Sequence, residues 1–167
     1  VQRLPPDIPL RTDLRHPALR PLFDVYATDE YTCVVKRWVD CSLSEFVQKE
    51  SGETNQNLSK NDVATMMYRL LEALLYIHSK GLVHRQVRPG TIYLVQPSTK
   101  TQEENKSAPP RSYLEHFGFM PSLEGTEVAE AGVSFSAPET FSYSAVKGSD
   151  VWSLGCVLAW LLQTPVE

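Results

Sequence analysis

The side chains best suited to chemistry lie in one short run, His84-Arg85-Gln86-Val87-Arg88-Pro89-Gly90-Thr91, and in the pair Glu115-His116 further on. Arg85 and Arg88 carry planar guanidinium forks, which suit two-point pairing with phosphate or carboxylate. Gln86 between them is an amide and accepts no proton near neutral pH. It therefore supplies no general-base help, typically worth about 10²–10⁴-fold in rate. Thr91 offers a neutral hydroxyl. His116 offers an imidazole nitrogen, which suits zinc or copper better than the hard, oxygen-seeking magnesium ion. Glu115 is a carboxylate beside it. Neighbouring side chains of an extended strand face opposite ways, so Glu115 is expected to point away from the site.

Recognisable elements flank these residues. Val63, Met66, Met67, Leu70, Leu71, Leu74 and Ile77 recur at helical spacing and form one wide apolar stripe. Ser59 with Asp62 predicts a capping box at its start, and Gly81 a left-handed stop at its end. Leu22 to Tyr26 and Tyr31 to Val35 flank the turn-like Ala27-Thr28-Asp29-Glu30 and predict a β-hairpin. Ser42 to Val47 reads as a short helix, with Ser42 as cap and Glu45 three residues on. Ile92 to Val95 and Ser112 to Phe117 read as partner strands. The polar stretch 96–111 between them has no apolar anchor and reads as a mobile surface insertion, or as a docking or phosphorylation tail. Ser149 to Gln163 is apolar almost all round, which predicts a helix in the middle of a domain.

Four motifs stand in order along these elements: Ile77-His78-Ser79-Lys80-Gly81-Leu82-Val83 leading into His84-Arg85-Gln86; Glu115-His116-Phe117-Gly118; Ala137-Pro138-Glu139; and Ser149-Asp150-Val151-Trp152-Ser153-Leu154-Gly155. Together they resemble the eukaryotic protein kinase superfamily, whose signature includes H-R-D-x-x-x-x-N, D-F-G and A-P-E. The resemblance runs from about His16 onward and is of the pseudokinase type. It implies an α+β, protein-kinase-like fold, mainly the helical C-lobe with a remnant of the N-lobe sheet. The expected layout is a single partial domain over 1–167. Residues 1–35 are the N-lobe remnant, 36–47 the hinge and first C-lobe helix, and 48–167 the C-lobe core.

The same resemblance assigns roles. Gln86 stands at the catalytic-base position, Thr91 and His116 at the two metal positions, and Arg88 at the phosphate-lysine position. Arg85 would pair with a phosphate on the activation segment, where Ser122, Thr126, Ser134 and Ser136 lie, or with a carboxylate such as Glu124 or Glu127. Val35 marks the hinge entry. Tyr93 takes the adenine-facing position, where it either fills the adenine space or packs edgewise with its hydroxyl in water. His84, Phe117 and Leu22 match the buried column of the family core, Asp150 the carboxylate that anchors the catalytic loop, and Ala137, Pro138 and Glu139 the A-P-E element. Neither G-x-G-x-x-G nor a V-A-I-K strand lysine is present. With base and both metal positions substituted, magnesium is not expected as a cofactor, and ATP binding stays open. The expected function is a catalytically impaired module that acts by binding or allostery. The alternative is an ATP-binding serine/threonine kinase with unconventional ligands.

Composition agrees with a small folded domain. The 167 residues suffice for one core. A net charge of −4 argues against a nucleic-acid partner, and no apolar run has the length of a membrane span. Protein partners, or other domains of the same chain, are therefore expected. Three cysteines without C-x-x-C spacing read as free thiols in an intracellular, cytoplasmic setting. The chain starts with Val and reads as an excerpt from a longer protein.

Overall fold

Ser59 starts the longest helix by supplying the hydrogen bonds that a helix end lacks. Its Oγ accepts the Asp62 N–H at 3.2 Å, and Asp62 Oδ2 accepts the Ser59 N–H at 3.0 Å. The computed structural model describes residues 2–4, 12–50, 58–96, 110–115, 135–141 and 146–163. In chain order it contains β1 (Gln2–Leu4), β2 (Leu22–Ala27), β3 (Thr32–Lys36), β4 (Cys41–Ser42), α1 (Leu43–Glu50), α2 (Lys60–Ser79), β5 (Ile92–Val95), β6 (Arg111–Leu114) and α3 (Lys147–Gln163). Single 3₁₀ turns span Pro89–Thr91 and Pro138–Phe141.

Helix α2 buries Val63, Met66, Met67, Leu70, Ala73, Leu74 and Ile77. Leu71, expected on the stripe, is 40% exposed, and Ala73 is buried in its place. At about 100° per residue, Leu71 falls roughly 100° from the centre of the buried face, whereas Ala73 falls nearer to it. The helix ends in a Schellman motif. Gly81 takes φ +75, its N–H bonds the His78 carbonyl, and the Leu82 N–H reaches the Ile77 carbonyl. Helix α1 carries the expected reciprocal cap, Ser42 N–H to Glu45 Oε2 and Glu45 N–H to Ser42 Oγ.

Two small antiparallel sheets frame the helices. One has the order β1-β3-β2, with the hairpin closing at Ala27↔Thr32 and the Thr28 N–H donating to the Tyr31 carbonyl. The other has the order β4-β5-β6 and pairs Tyr93 with Tyr113. The segment before β2 laces the two together: the Leu114 N–H donates to the Ala18 carbonyl, and the Arg20 N–H to the Leu114 carbonyl.

Helix α3 begins two residues before the expected start and packs on α2 through Leu154, Val157 and Leu161. Its other flank differs from the all-round burial expected. Val151, Trp152 and Leu162 are about half exposed among the described residues, while Ser149, Asp150, Ser153, Leu154, Val157 and Leu161 are buried. No described helix is long and apolar enough to cross a membrane. Cys33, Cys41 and Cys156 are half-buried.

The core predicts a sharp contrast within one helix. Ile77→Ala should cost about 2–5 kcal/mol in urea unfolding, since it empties a fully buried site. Leu75→Ala, at an exposed position of the same helix, should stay within about 0.5 kcal/mol.

Candidate functional site

Downstream of the α2 stop, the chain turns back over the start of α3, and one carboxylate holds that turn. Asp150 Oδ2 accepts the His84 N–H and the His78 Nε2–H, each at 2.7 Å, and Oδ1 accepts the Arg85 N–H at 2.7 Å. Arg85 is held at φ +71, in the left-handed region that non-glycine residues rarely adopt. His84 is fully buried. Its Nδ1 accepts the Gln86 N–H, so the ring is the neutral tautomer that donates from Nε2 to the Glu115 carbonyl. Burial lowers its pKa, against the pull of that hydrogen bond.

Of the positions that resemble the base and metal sites, Gln86 and Thr91 are described. Gln86 is exposed. Thr91 Oγ1 lies 2.6 Å from the Gln86 carbonyl and 3.0 Å from the Arg88 carbonyl, and accepts the Arg88 N–H at 3.2 Å. Its single proton serves these carbonyls and one lone pair takes the Arg88 N–H, so this neutral hydroxyl is engaged in closing the loop. Among the described residues, no group of three or more His, Cys, Asp or Glu gathers to hold a metal. Arg88 is half-buried, and its buried Nε has no hydrogen-bond partner among the described residues. Arg85 has an exposed side chain. His116, Phe117, Ser122, Glu124, Thr126, Glu127 and Ser134 lie outside the described residues, as does 97–109 of the insertion.

A second group gathers around Tyr93, at the mouth between the two sheets. Tyr93 and Tyr113 pair across β5 and β6 and so share a face. The Arg20 guanidinium lies 4.7 Å from the Tyr93 ring centroid, and that of Arg37 lies 5.4 Å from Tyr113. Glu115 Oε2 pairs with Arg20 Nη1 at 2.9 Å, and Oε1 with Lys36 Nζ at 3.2 Å. Arg20 also donates from Nε to the Arg37 carbonyl at 2.9 Å. Lys36 follows Val35, the half-buried hinge-entry residue, and pairs in register with buried Leu22. Burial pulls the Lys36 amine down to about 8, with Glu115 pulling the other way. Burial and the Glu115 charge push the Tyr93 phenol up.

Glu115 lies two residues past Tyr113, and its carboxylate meets two cations beside Tyr93; His116, relative to which its direction was expected, lies outside the described residues. Arg20 and Lys36 went unnoticed in the sequence because 95 and 79 residues separate them from Glu115. No local pattern joins residues so far apart. The Ala137-Pro138-Glu139 element sits by the start of α3. Ala137 is fully buried, and Glu139 Oε1 accepts the Ser149 hydroxyl at 2.7 Å, which lowers the Glu139 pKa.

Helical and sheet layers in this order define an α+β, protein-kinase fold, mainly the helical C-lobe with a small N-lobe sheet. The crystal structure of the PknI kinase domain of Mycobacterium tuberculosis superposes with a TM-score of 0.65 at 20% identity, over 93% of this chain and 54% of that one. Residues 3–166 match the protein kinase domain family, and the chain belongs to it. A Dictyostelium discoideum protein named "Probable inactive protein kinase" is 32% identical over 180 residues, an alignment covering all of this chain and 13% of that protein. A second protein of that organism, "Probable myosin light chain kinase", is 28% identical over 161 residues, covering 93% of this chain and 30% of its own length. The chain thus spans less than a third of either relative.

Two outcomes follow from this geometry. Asp150→Ala leaves the His84 and Arg85 N–H groups without their acceptor. It should cost about 3 kcal/mol in urea unfolding and speed hydrogen exchange at both amides. Lys36 binds fewer protons folded than unfolded between pH 8 and its ordinary value near 10.5. Its contribution to stability should therefore rise as pH goes from 8 to 10, with the raised Tyr93 phenol contributing the opposite sign at the upper end. After discounting for solvent screening, the rise is about 1–2 kcal/mol. Lys36→Met should flatten the slope of unfolding free energy against pH over that interval; an unchanged slope would show that Lys36 is not its source.

Proposed function

We propose that this domain is a pseudokinase module that acts by binding other proteins or other domains of its own chain, without transferring phosphate. The observation that carries the reading is Thr91, whose hydroxyl closes its own loop on the carbonyls of Gln86 and Arg88 at a position where the family holds a metal ion. Gln86 adds to it, since an amide takes no proton from a substrate hydroxyl. Phosphoryl transfer is mostly positioning and charge neutralisation by magnesium, so losing base and metal ligands together leaves little to accelerate it. The described part of the framework supports it as well: Asp150 holds the His84–Arg85 turn, and Glu139 bonds Ser149 at the start of α3. One Dictyostelium relative carries the name "Probable inactive protein kinase", which agrees with this use, while the other is named as a kinase. No cofactor is needed for it.

The test is a transfer assay on the full-length protein with labelled ATP, magnesium or manganese, and a generic protein substrate. The expected result is incorporation at the level of a no-enzyme blank. Incorporation above the blank that disappears in an Arg88→Ala variant would instead establish a kinase with unconventional ligands.

A further inference from the structure

We propose that Arg20, clamped by Glu115, occupies the adenine end of the cleft and closes it to nucleotide. This deepens the reading above, and rests on the kinase resemblance in taking Tyr93 as the adenine-facing residue.

A purine entering a protein cleft needs two things: an aromatic or apolar face to lie on, and a backbone polar group at its edge to fix its orientation. Both are already in use. The flat face of Tyr93 carries the Arg20 guanidinium at 4.7 Å. The Arg37 carbonyl, in the segment that follows β3 and the hinge entry, accepts Arg20 Nε–H at 2.9 Å. A guanidinium is planar, delocalised and weakly hydrated, so it stacks and donates in its own plane as a purine edge would. Arg20 is thus a built-in occupant with the two contacts that a nucleobase would make.

Three features keep it there. Glu115 Oε2 holds the outer nitrogen at 2.9 Å. Lys36 holds the other oxygen of the same carboxylate at 3.2 Å, so Glu115 is fixed from both sides. The backbone on either side of the clamp is tied as well: the Arg20 N–H donates to the Leu114 carbonyl, and the Glu115 N–H to the Thr91 carbonyl. The side chains of Arg20, Glu115 and Lys36 are only 16%, 9% and 6% exposed, so water competes weakly for these bonds. A ligand must bind the rare form in which Arg20 has swung out. Its apparent affinity falls by the fraction of molecules in that form.

The experiment uses the full-length protein and adenosine, which has no phosphate and needs no metal, so it reports on the adenine end alone. Adenosine at 1 mM should leave the Tm of the wild type unchanged. Arg20→Ala uncovers the Tyr93 face and the Arg37 carbonyl and leaves Glu115 paired one-to-one with Lys36. Its Tm should rise by about 3 °C or more, and titration calorimetry should give a Kd at least tenfold below that of the wild type. Arg20→Lys keeps the charge and the fold but cannot stack and bond both partners at once, and should fall between the two. Adenosine binding to the wild type as tight as to either variant overturns the proposal. So does a folded Arg20→Ala that gains nothing; if that variant does not fold, Arg20→Lys decides by the same criterion. Phosphate transfer should stay at blank level in every variant. Transfer that appeared in Arg20→Ala would overturn the inactive reading and leave the closed cleft standing.

Discussion

Asp150 is the constraint on which the rest of the structure depends. It lies in the first turn of α3, where the helix dipole favours a negative charge, and it is almost wholly buried. From there it takes hydrogen bonds from the end of α2 and from two successive backbone amides of the loop that follows. A buried carboxylate is costly unless its oxygens are satisfied, and these donors satisfy it. In return the loop has one conformation, including the left-handed Arg85. From that anchor a line of hydrogen bonds runs through His84 to the Glu115 backbone and on to Thr91. The shape of a catalytic loop is thus kept although its base is gone.

Glu115 joins that loop to the cleft. Its carbonyl receives His84, its N–H reaches Thr91, and its carboxylate grips Arg20 and Lys36. One residue therefore serves both the framework around Asp150 and the charged cluster over Tyr93. Buried ion clusters of this kind contribute less to net stability than to selecting one arrangement, because desolvation offsets much of the attraction. The depressed Lys36 amine is the mark of that cost: two cations share one carboxylate, and burial disfavours the charge that is least compensated. Specificity of arrangement, here a filled cleft, is what such a cluster gives.

The elements that could be read in the sequence are those whose causes are local. Ser59 and Asp62 lie three residues apart, and so do Ser42 and Glu45; Gly81 needs only its own φ. The hairpin at Ala27–Thr32 follows from a turn between two apolar runs. Legibility faded where neighbours in space decide. Leu71 lay within the periodic stripe, yet α2 turned the smaller Ala73 inward because the buried face is centred elsewhere. Helix α3 looked apolar on all sides, yet Val151, Trp152 and Leu162 stay about half exposed among the described residues. The partners of Glu115 were not legible, because strand alternation says nothing of cations 95 and 79 residues away.

The sequence by itself determined which side chains stand at three positions. An amide at 86, a neutral hydroxyl at 91 and an imidazole at 116 bring no carboxylate wherever the chain places them, since these are properties of the side chains. It also determined the helices and their ends, which depend on neighbours a few residues away. Only the tertiary structure decided what stands over Tyr93. Arg20, Lys36 and Glu115 come from segments far apart in the chain, and their attraction acts only once the two sheets bring them within 3.2 Å.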